Sequence, residues 1–284
     1  MTSRACLAGT MIGDGLDVVV IGALNVSPES FYPGSVAHGP DDLLRRAEAM
    51  VAAGAAILDV GAMSTAPYRE TAISATEEED RLAGAISLLA EKLEVPLSAD
   101  TSRAAPARAA LQAGARVVND VTGLRGDPEL PGIVARAEAG LIVMAAERPG
   151  PLPASPEAGV RTVLAESLDM AAEAGIDAAH IVVDPGIGFF RQQSVAWHEW
   201  DCRVLAGLSE LRALGRPVCV AVSRKSFIGA VADAPDPSSR LPGSLAAAAI
   251  AVMGGAHAIR AHDVAETVQA VRVAQALRQA RDEG

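Results

Sequence analysis

Ile181-Val182-Val183-Asp184-Pro185-Gly186-Ile187-Gly188-Phe189 is the stretch on which the fold turns. An apolar run ends on a carboxylate, and the turn behind it is one that glycines let close, so an acid is presented at the rim of a sheet. The pattern recurs along the chain. Asn25 follows the apolar run 18–24, Asp59 lies in Ile57–Val60, Asp100 follows 95–99, and Asn119 and Asp120 follow Val117 and Val118. Short polar side chains repeatedly stand where apolar strands end, as in a binding site assembled from many strands. That is the signature of an enzyme.

Outward from these runs, the chain alternates short apolar segments with longer Ala-rich amphipathic ones. Strands are expected at 18–24, 56–61, 95–100, 115–120, 140–145, 180–184, 217–222 and 257–262. Helices are expected near 40–53, 76–92, 103–113, 128–138, 157–175, 203–214, 240–254 and 264–281. Gly54, Gly114, Gly140, Gly175 and Gly215 stand at helix ends, where the left-handed cap geometry suits glycine. Thr76 with Glu79 reads as a capping box. Such alternation requires a parallel sheet. Eight units in roughly 250 residues fit a closed (β/α)₈ TIM barrel, with the strand C-terminal ends as its active face. No linker or low-complexity tract divides the chain, and Pro149–Pro156 and Ala234–Ser239 read as loops, so residues 1–284 are expected to form one domain.

Composition narrows the function. Hydrophobic residues are 50% of the 284 and aromatics only 3%, so the core must be built from Ala, Val, Leu and Ile. With 24 basic and 35 acidic residues the net charge is -11, which argues against nucleic-acid or anionic-membrane partners. Cys6, Cys202 and Cys219 make no metal or disulfide spacing and read as reduced thiols. No leader-like segment and no apolar run near the ~18 residues of a membrane span is seen, so a cytoplasmic location is expected. Signatures for nucleotide hydrolysis, dinucleotide redox, zinc proteolysis and serine hydrolysis are missing.

Ser223-Arg224-Lys225-Ser226-Phe227 follows the seventh strand, and Arg260-Ala261-His262-Asp263 ends the eighth. Cations and an imidazole there suit phosphate groups. Asn25 on the first loop is a candidate ligand for a hard cation such as Mg²⁺, which keeps its waters and rests on substrate phosphates. Asp100, Asp184 and Asn119 suit a flat heterocycle rich in N–H donors, since a carboxylate accepts two parallel N–H bonds. Arg224 reads as half of a structural ion pair, Met144 as either core or ring contact, and Trp197 and Trp200 as packing residues. His38, His180, His198 and His257 read as surface or packing residues.

Seven motifs in order then carry a resemblance. They are Leu24-Asn-Val-Ser-Pro-Glu-Ser-Phe31, Ser64-Thr65 with Pro67, Asp100-Thr101, Asn119-Asp-Val-Thr-Gly-Leu124, Asp184-Pro-Gly-Ile-Gly-Phe189, Ser223-Arg-Lys-Ser-Phe-Ile-Gly229 and Arg260-Ala-His262. The chain resembles the dihydropteroate synthase family over nearly its whole length. That resemblance implies a (β/α)₈ barrel joining 6-hydroxymethyl-7,8-dihydropterin diphosphate to an aromatic amine, with release of pyrophosphate and with Mg²⁺. It implies pterin contacts from Asp100, Asn119, Met144, Asp184, Phe189 and Lys225, and diphosphate contacts from Asn25, Thr65, Arg260 and His262. Asn25 would bear on the metal, and Lys225, Arg260 and His262 on catalysis. The amine would lie by Ala66, Pro67, Tyr68 and Ser226, and a homodimer is expected, with the Ala-rich final helices as its face.

Departures cluster on the amine side. The family's Asp two residues after the Ser-Phe pair is Pro33 here, its Ser-Thr-Arg-Pro is Ser64-Thr65-Ala66-Pro67, and its Met-His-Met is Met144-Ala145-Ala146. Gly61–Tyr68 looks like the version found in tetrahydromethanopterin synthesis, with ribofuranosylaminobenzene phosphate as the amine. Tyr68, Arg69 and Arg191 would serve this longer polar substrate, with 4-aminobenzoate the other candidate. A pterin-dependent methyltransferase and a non-catalytic pterin-binding protein are the rival readings.

Overall fold

The computed structural model describes residues 2–27, 37, 39–63, 73–153 and 155–283. An antiparallel hairpin comes first, β1 (Arg4–Leu7) and β2 (Thr10–Gly13). Eight strand–helix units follow. They run β3 (Val19–Asn25), α1 (Pro40–Ala52); β4 (Ile57–Gly61), α2 (Ala75–Lys92); β5 (Leu97–Asp100), α3 (Ala104–Ala113); β6 (Val117–Asp120), α4 (Leu130–Arg136). The second half runs β7 (Gly140–Met144), α5 (Pro156–Glu173); β8 (Ile181–Asp184), α6 (Trp197–Ala206); β9 (Cys219–Ala221), α7 (Ser226–Val231), α8 (Leu241–Met253); β10 (Ala258–Ala261), α9 (Val264–Glu283). All neighbouring strands of the large sheet are parallel, in the order β8-β7-β6-β5-β4-β3-β10-β9. A parallel bridge between Val183 and Val218 joins its two edges, with the Val183 N–H donating to the Pro217 carbonyl at 2.9 Å. The expected (β/α)₈ barrel is the fold.

Period-two alternation splits the barrel into two cores. Residues facing outward, such as Leu58, Val60, Val118, Leu141, Val143 and Val183, are buried beneath the apolar stripes of the helices. Inside, Ile21, Ile57, Val117, Ile142, Val182, Cys219 and Ala258 form one dry layer from seven strands. The hairpin closes this layer from below by burying Ala5, Leu7 and Ile12 against it. Two residues further along the same strands the inward positions become polar or adaptable: Asp59, Asn119, Met144, Asp184 and Arg260. The plugged lower layer therefore supports a polar upper one.

Local chemistry explains where the elements differ from expectation. The hairpin is not foreseeable from local pattern, because Leu7 and Ile12 are buried by contacts distant in sequence. The helix expected at 203–214 is α6, six residues earlier, followed by a 3₁₀ segment, Leu208–Leu214; Trp200 anchors that start by stacking on Phe190, ring centroids 5.0 Å apart. The segment Ser226–Val231 is helical as well. Ser74, not Thr76, caps α2, accepting from the Glu77 N–H at 3.1 Å in the same S-x-x-E spacing two residues upstream. Gly140 is not a helix cap. It begins β7, where a Cβ would come within 2.8 Å of Leu7 Cδ2, and Glu138 carries the positive φ instead. No helix of the described residues is long and apolar enough to cross a membrane.

Candidate active site

The upper layer is a charged network at the C-terminal ends of the strands. Register places Asn25 beside Gly61, Gly61 beside Asp100, Asp100 beside Asn119, and Met144 beside Asp184. Arg260 rises from β10 between two carboxylates. Its Nε donates to Asp59 Oδ2 at 2.6 Å and its Nη2 to Asp100 Oδ2 at 2.8 Å. Against the pull of burial, those two acids hold its guanidinium above its ordinary value. Asn119 Nδ2 donates to the same Asp59 oxygen at 2.9 Å.

Three buried oxygens of this layer, Asp59 Oδ1, Ser98 Oγ and Asp100 Oδ1, have no partner among the described residues. Buried polar atoms in native proteins are almost always paired, so such a cluster marks a place built for a polar ligand or water. Burial pushes the Asp100 carboxyl up to about 7, with Asp59 adding to the rise and Arg260 opposing it. Asp184 is raised to about 6 by burial, restrained by the Gly186 N–H, which donates to its Oδ1 at 2.7 Å. Gly186 has φ +72° and no room for a side chain, because a Cβ would run into the Ala145 carbonyl oxygen. That is the chemical content of the glycine turn.

Lys225 and Phe189 face each other across the rim, with the ammonium 4.4 Å above the ring centroid. Desolvation lowers the Lys225 ammonium to about 8 even though Asp184, Asp201 and Asp100 favour its charge. Asp201, inside α6, is buried. Its Oδ1 accepts from the Gly188 N–H at 2.8 Å, and its Oδ2 has no partner among the described residues. Burial raises Asp201 to about 6.

His262 closes the ring of polar groups. Its Nδ1 lies 3.1 Å from the Ala23 carbonyl, which only accepts, so that nitrogen carries the proton. Burial and then Arg260 lower its pKa to about 4, so the imidazole is neutral. Asn25 ends β3 and is half-buried; a Cβ on Gly61 would fall 3.4 Å from Asn25 Oδ1 and 3.5 Å from Asp100 Oδ2, so that glycine leaves a gap between the two side chains. Ser226 accepts from Arg191 Nη2 at 2.7 Å, and the Arg191 guanidinium lies 4.1 Å from the Trp197 ring centroid.

The structure thus brings Asn25, Asp100, Asn119, Met144, Asp184, Phe189, Lys225, Arg260 and His262 to one end of the barrel, with Ser226 at its edge. Thr65, Ala66, Pro67 and Tyr68 lie outside the described residues. Arg224 makes the expected structural ion pair, bidentate to Asp263 at 2.8 Å on both oxygens. His257 departs from a plain packing role: it is buried at the barrel floor, its Nδ1 accepts from the Val218 N–H at 3.0 Å, and its Nε2 lies 3.3 Å from Asp14 Oδ1. One participant, Asp201, carries no sequence assignment and has no local signal. Asp59 belongs to the strand-end pattern of the sequence, as an acid inside the apolar strand Ile57–Gly61, but that pattern gives it no specific role.

Residues 21–262 match the family described as "Pterin binding enzyme". The chain belongs to that family. Two curated relatives are named dihydropteroate synthase: one from Synechocystis sp., 38% identical over 94% of this chain and 93% of its own length, and one from Escherichia coli K12, 37% identical over 93% of each. Among solved structures, that of Xanthomonas albilineans dihydropteroate synthase with 4-aminobenzoic acid superposes with a TM-score of 0.86 at 34% identity, over 98% of this chain and 99% of the other. A pterin-binding enzyme so related is a transferase of the dihydropteroate synthase type. Neither methyl transfer nor pterin binding without chemistry is what these relatives are named for.

Proposed function

We propose that the chain joins 6-hydroxymethyl-7,8-dihydropterin diphosphate to 4-aminobenzoate, releasing pyrophosphate and forming dihydropteroate for folate synthesis. The observation that carries this reading is the acceptor-rich wall of Asp100, Asn119 and Asp184 above a plugged barrel, in a chain related to dihydropteroate synthases. A pterin presents an edge of N–H donors, and a buried carboxylate is the strongest acceptor a protein can set against it. Asp184 and Asn119 take that edge, Asp100 completes the wall, and Lys225 donates to the ring's acceptors. Met144 and Phe189 bear on the ring's faces.

The diphosphate end falls to Asn25, His262 and Arg260, whose guanidinium is held by Asp59 and Asp100 through Nε and Nη2. The donor set fits a metal carried on the substrate. Asn25 offers one neutral oxygen beside the gap at Gly61, and no group of three or more His, Cys, Asp or Glu that could hold a metal occurs among the described residues. Asn25 would hold Mg²⁺, which when bound adds charge neutralisation on the departing diphosphate.

The chain's own work is placement. The amine nitrogen attacks the exocyclic methylene carbon, the carbon–oxygen bond breaks with its electron pair leaving on pyrophosphate, and the amine releases a proton to water. No enzyme nucleophile is needed; positioning and stabilisation of the leaving anion supply the rate.

4-Aminobenzoate replaces the ribofuranosylaminobenzene phosphate expected from Gly61–Tyr68. The relatives named above are dihydropteroate synthases, the Xanthomonas albilineans structure holds 4-aminobenzoic acid, and the tetrahydromethanopterin reading finds no support in them. Ser226 and Arg191 then receive the carboxylate, Arg191 Nη2 donating to Ser226 Oγ at 2.7 Å. A homodimer through α8 and α9 is part of the same reading, supported by the exposed Ile250, Val273 and Leu277. Pyrophosphate release measured with the pterin diphosphate and each amine tests the assignment. Turnover with 4-aminobenzoate is expected; preference for the ribosylated phosphate, or no turnover with either, overturns it.

A further inference from the structure

Asp59 is the one carboxylate of the upper layer that is fully buried, and the reading of the pocket gives it no substrate to touch. Its Oδ2 nevertheless receives both Asn119 Nδ2 at 2.9 Å and Arg260 Nε at 2.6 Å, while its Oδ1 has no partner among the described residues. We propose that Asp59 is a positioning residue for pterin binding: it fixes the orientation of the Asn119 carboxamide and of the Arg260 guanidinium, and through Arg260 ties both to Asp100. The proposal rests on the pterin reading of this site.

Donor and acceptor chemistry supports it. A carboxylate only accepts, so Asn119 must turn its amide nitrogen to Asp59 and its oxygen away. Without Asp59 the carboxamide is free to flip, and half of its orientations would offer a donor where the pterin edge also donates. Arg260 is held through Nε and Nη2, two of the nitrogens of a rigid fork, so the direction of its remaining face is set. A stabilising role explains the arrangement poorly. Burying a carboxylate is expensive even when it is paired, and leaving one of its oxygens without a partner forfeits more. Apolar side chains fill the inward positions one layer below at no such cost.

The experiment is calorimetric titration of 6-hydroxymethylpterin into the wild-type protein, Asp59→Asn, Arg260→Gln and the double variant, with melting temperature and binding stoichiometry recorded for each. Asp59→Asn is expected to weaken pterin binding at least tenfold while the KM for 4-aminobenzoate moves less than twofold. If Asp59 acts through Arg260, the double variant binds no more than about threefold worse than the weaker single one, whereas independent roles multiply their losses. A second readout is the acid side of the binding profile. The charged groups acting on Asp100 are Arg260, Asp59, Glu78 and Lys225, and removal of the Asp59 charge shifts the loss of binding to lower pH. Unchanged pterin affinity in Asp59→Asn, multiplied losses in the double variant, or an unmoved acid limb overturns the proposal. Asp59→Ser serves if the asparagine protein does not fold, and failure of both to fold makes Asp59 a structural residue and also overturns it. Wild-type protein that binds no pterin at all would instead remove the pterin reading.

Discussion

Arg191 donates from Nη2 to Ser226 Oγ at 2.7 Å, linking the loop after β8 to the first turn of α7. The arginine also rests on Trp197 and donates from Nε to the Gly188 carbonyl at 3.1 Å, so its charge is held at the edge of the pocket. A carboxylate arriving beside Ser226 meets a fixed guanidinium. Arg191→Ala should raise the KM for 4-aminobenzoate by roughly tenfold to a hundredfold, as about 1.5–3 kcal/mol for a hydrogen bond to a charged group implies. Pterin affinity should be unchanged. Steady-state kinetics with each substrate varied in turn checks the split.

Asp184→Asn keeps an oxygen for the Gly186 N–H, so the turn should survive. What disappears is the charged acceptor facing the pterin edge. Pterin binding should weaken by roughly tenfold to a hundredfold on the same scale, with the melting temperature little changed. Calorimetry and thermal unfolding together check it.

The pH dependence has two limbs of opposite sign. Asp184 and Asp100 must be ionised to accept N–H bonds, and their values of about 6 and about 7 mean that kcat/KM for the pterin diphosphate falls as pH drops through that range. Lys225 must be protonated to donate, and its value of about 8 means that kcat/KM falls again as pH rises through 8. Lys225→Arg should abolish the basic limb, since an arginine stays charged, at reduced absolute activity. A pH series of initial rates on both proteins tests this.

At the floor of the barrel, burial lowers the pKa of His257 below 6.5. The unfolded chain therefore takes up a proton there before the folded one does, and stability declines as pH falls below about 6.5 toward the lowered value. The neutral ring accepts from Val218 N–H, an acceptor that protonation removes. His257→Gln should flatten that part of the melting-temperature curve, which differential scanning calorimetry from pH 7.5 to 5 would record.

Much of the site was legible because a barrel repeats one rule. In Val182-Val183-Asp184 and Val117-Val118-Asn119, an inward apolar residue is followed two positions later by an inward polar one, so strand period and strand end together point at the pocket. Glycine turns such as Asp184–Phe189 read in the same local way. What local pattern cannot convey is who pairs with whom. Arg260 meets Asp59 across 201 positions, and nothing near either residue announces it; a cation at a strand end suits phosphate, but local pattern does not show the two carboxylates that hold this one. The hairpin escaped notice for the same reason, since Leu7 and Ile12 are buried by the barrel floor rather than by neighbours in sequence. Asp201 lies mid-helix, where an acid ordinarily faces water, and only the fold turns it toward Gly188.

A crystal structure with 6-hydroxymethylpterin bound is the most direct measurement. The pterin is expected at the C-terminal end of the barrel, its N–H edge on Asp184 and Asn119 and its ring in contact with Met144 and Phe189. A pterin bound elsewhere, or with its N–H edge turned away from Asp184, would contradict it.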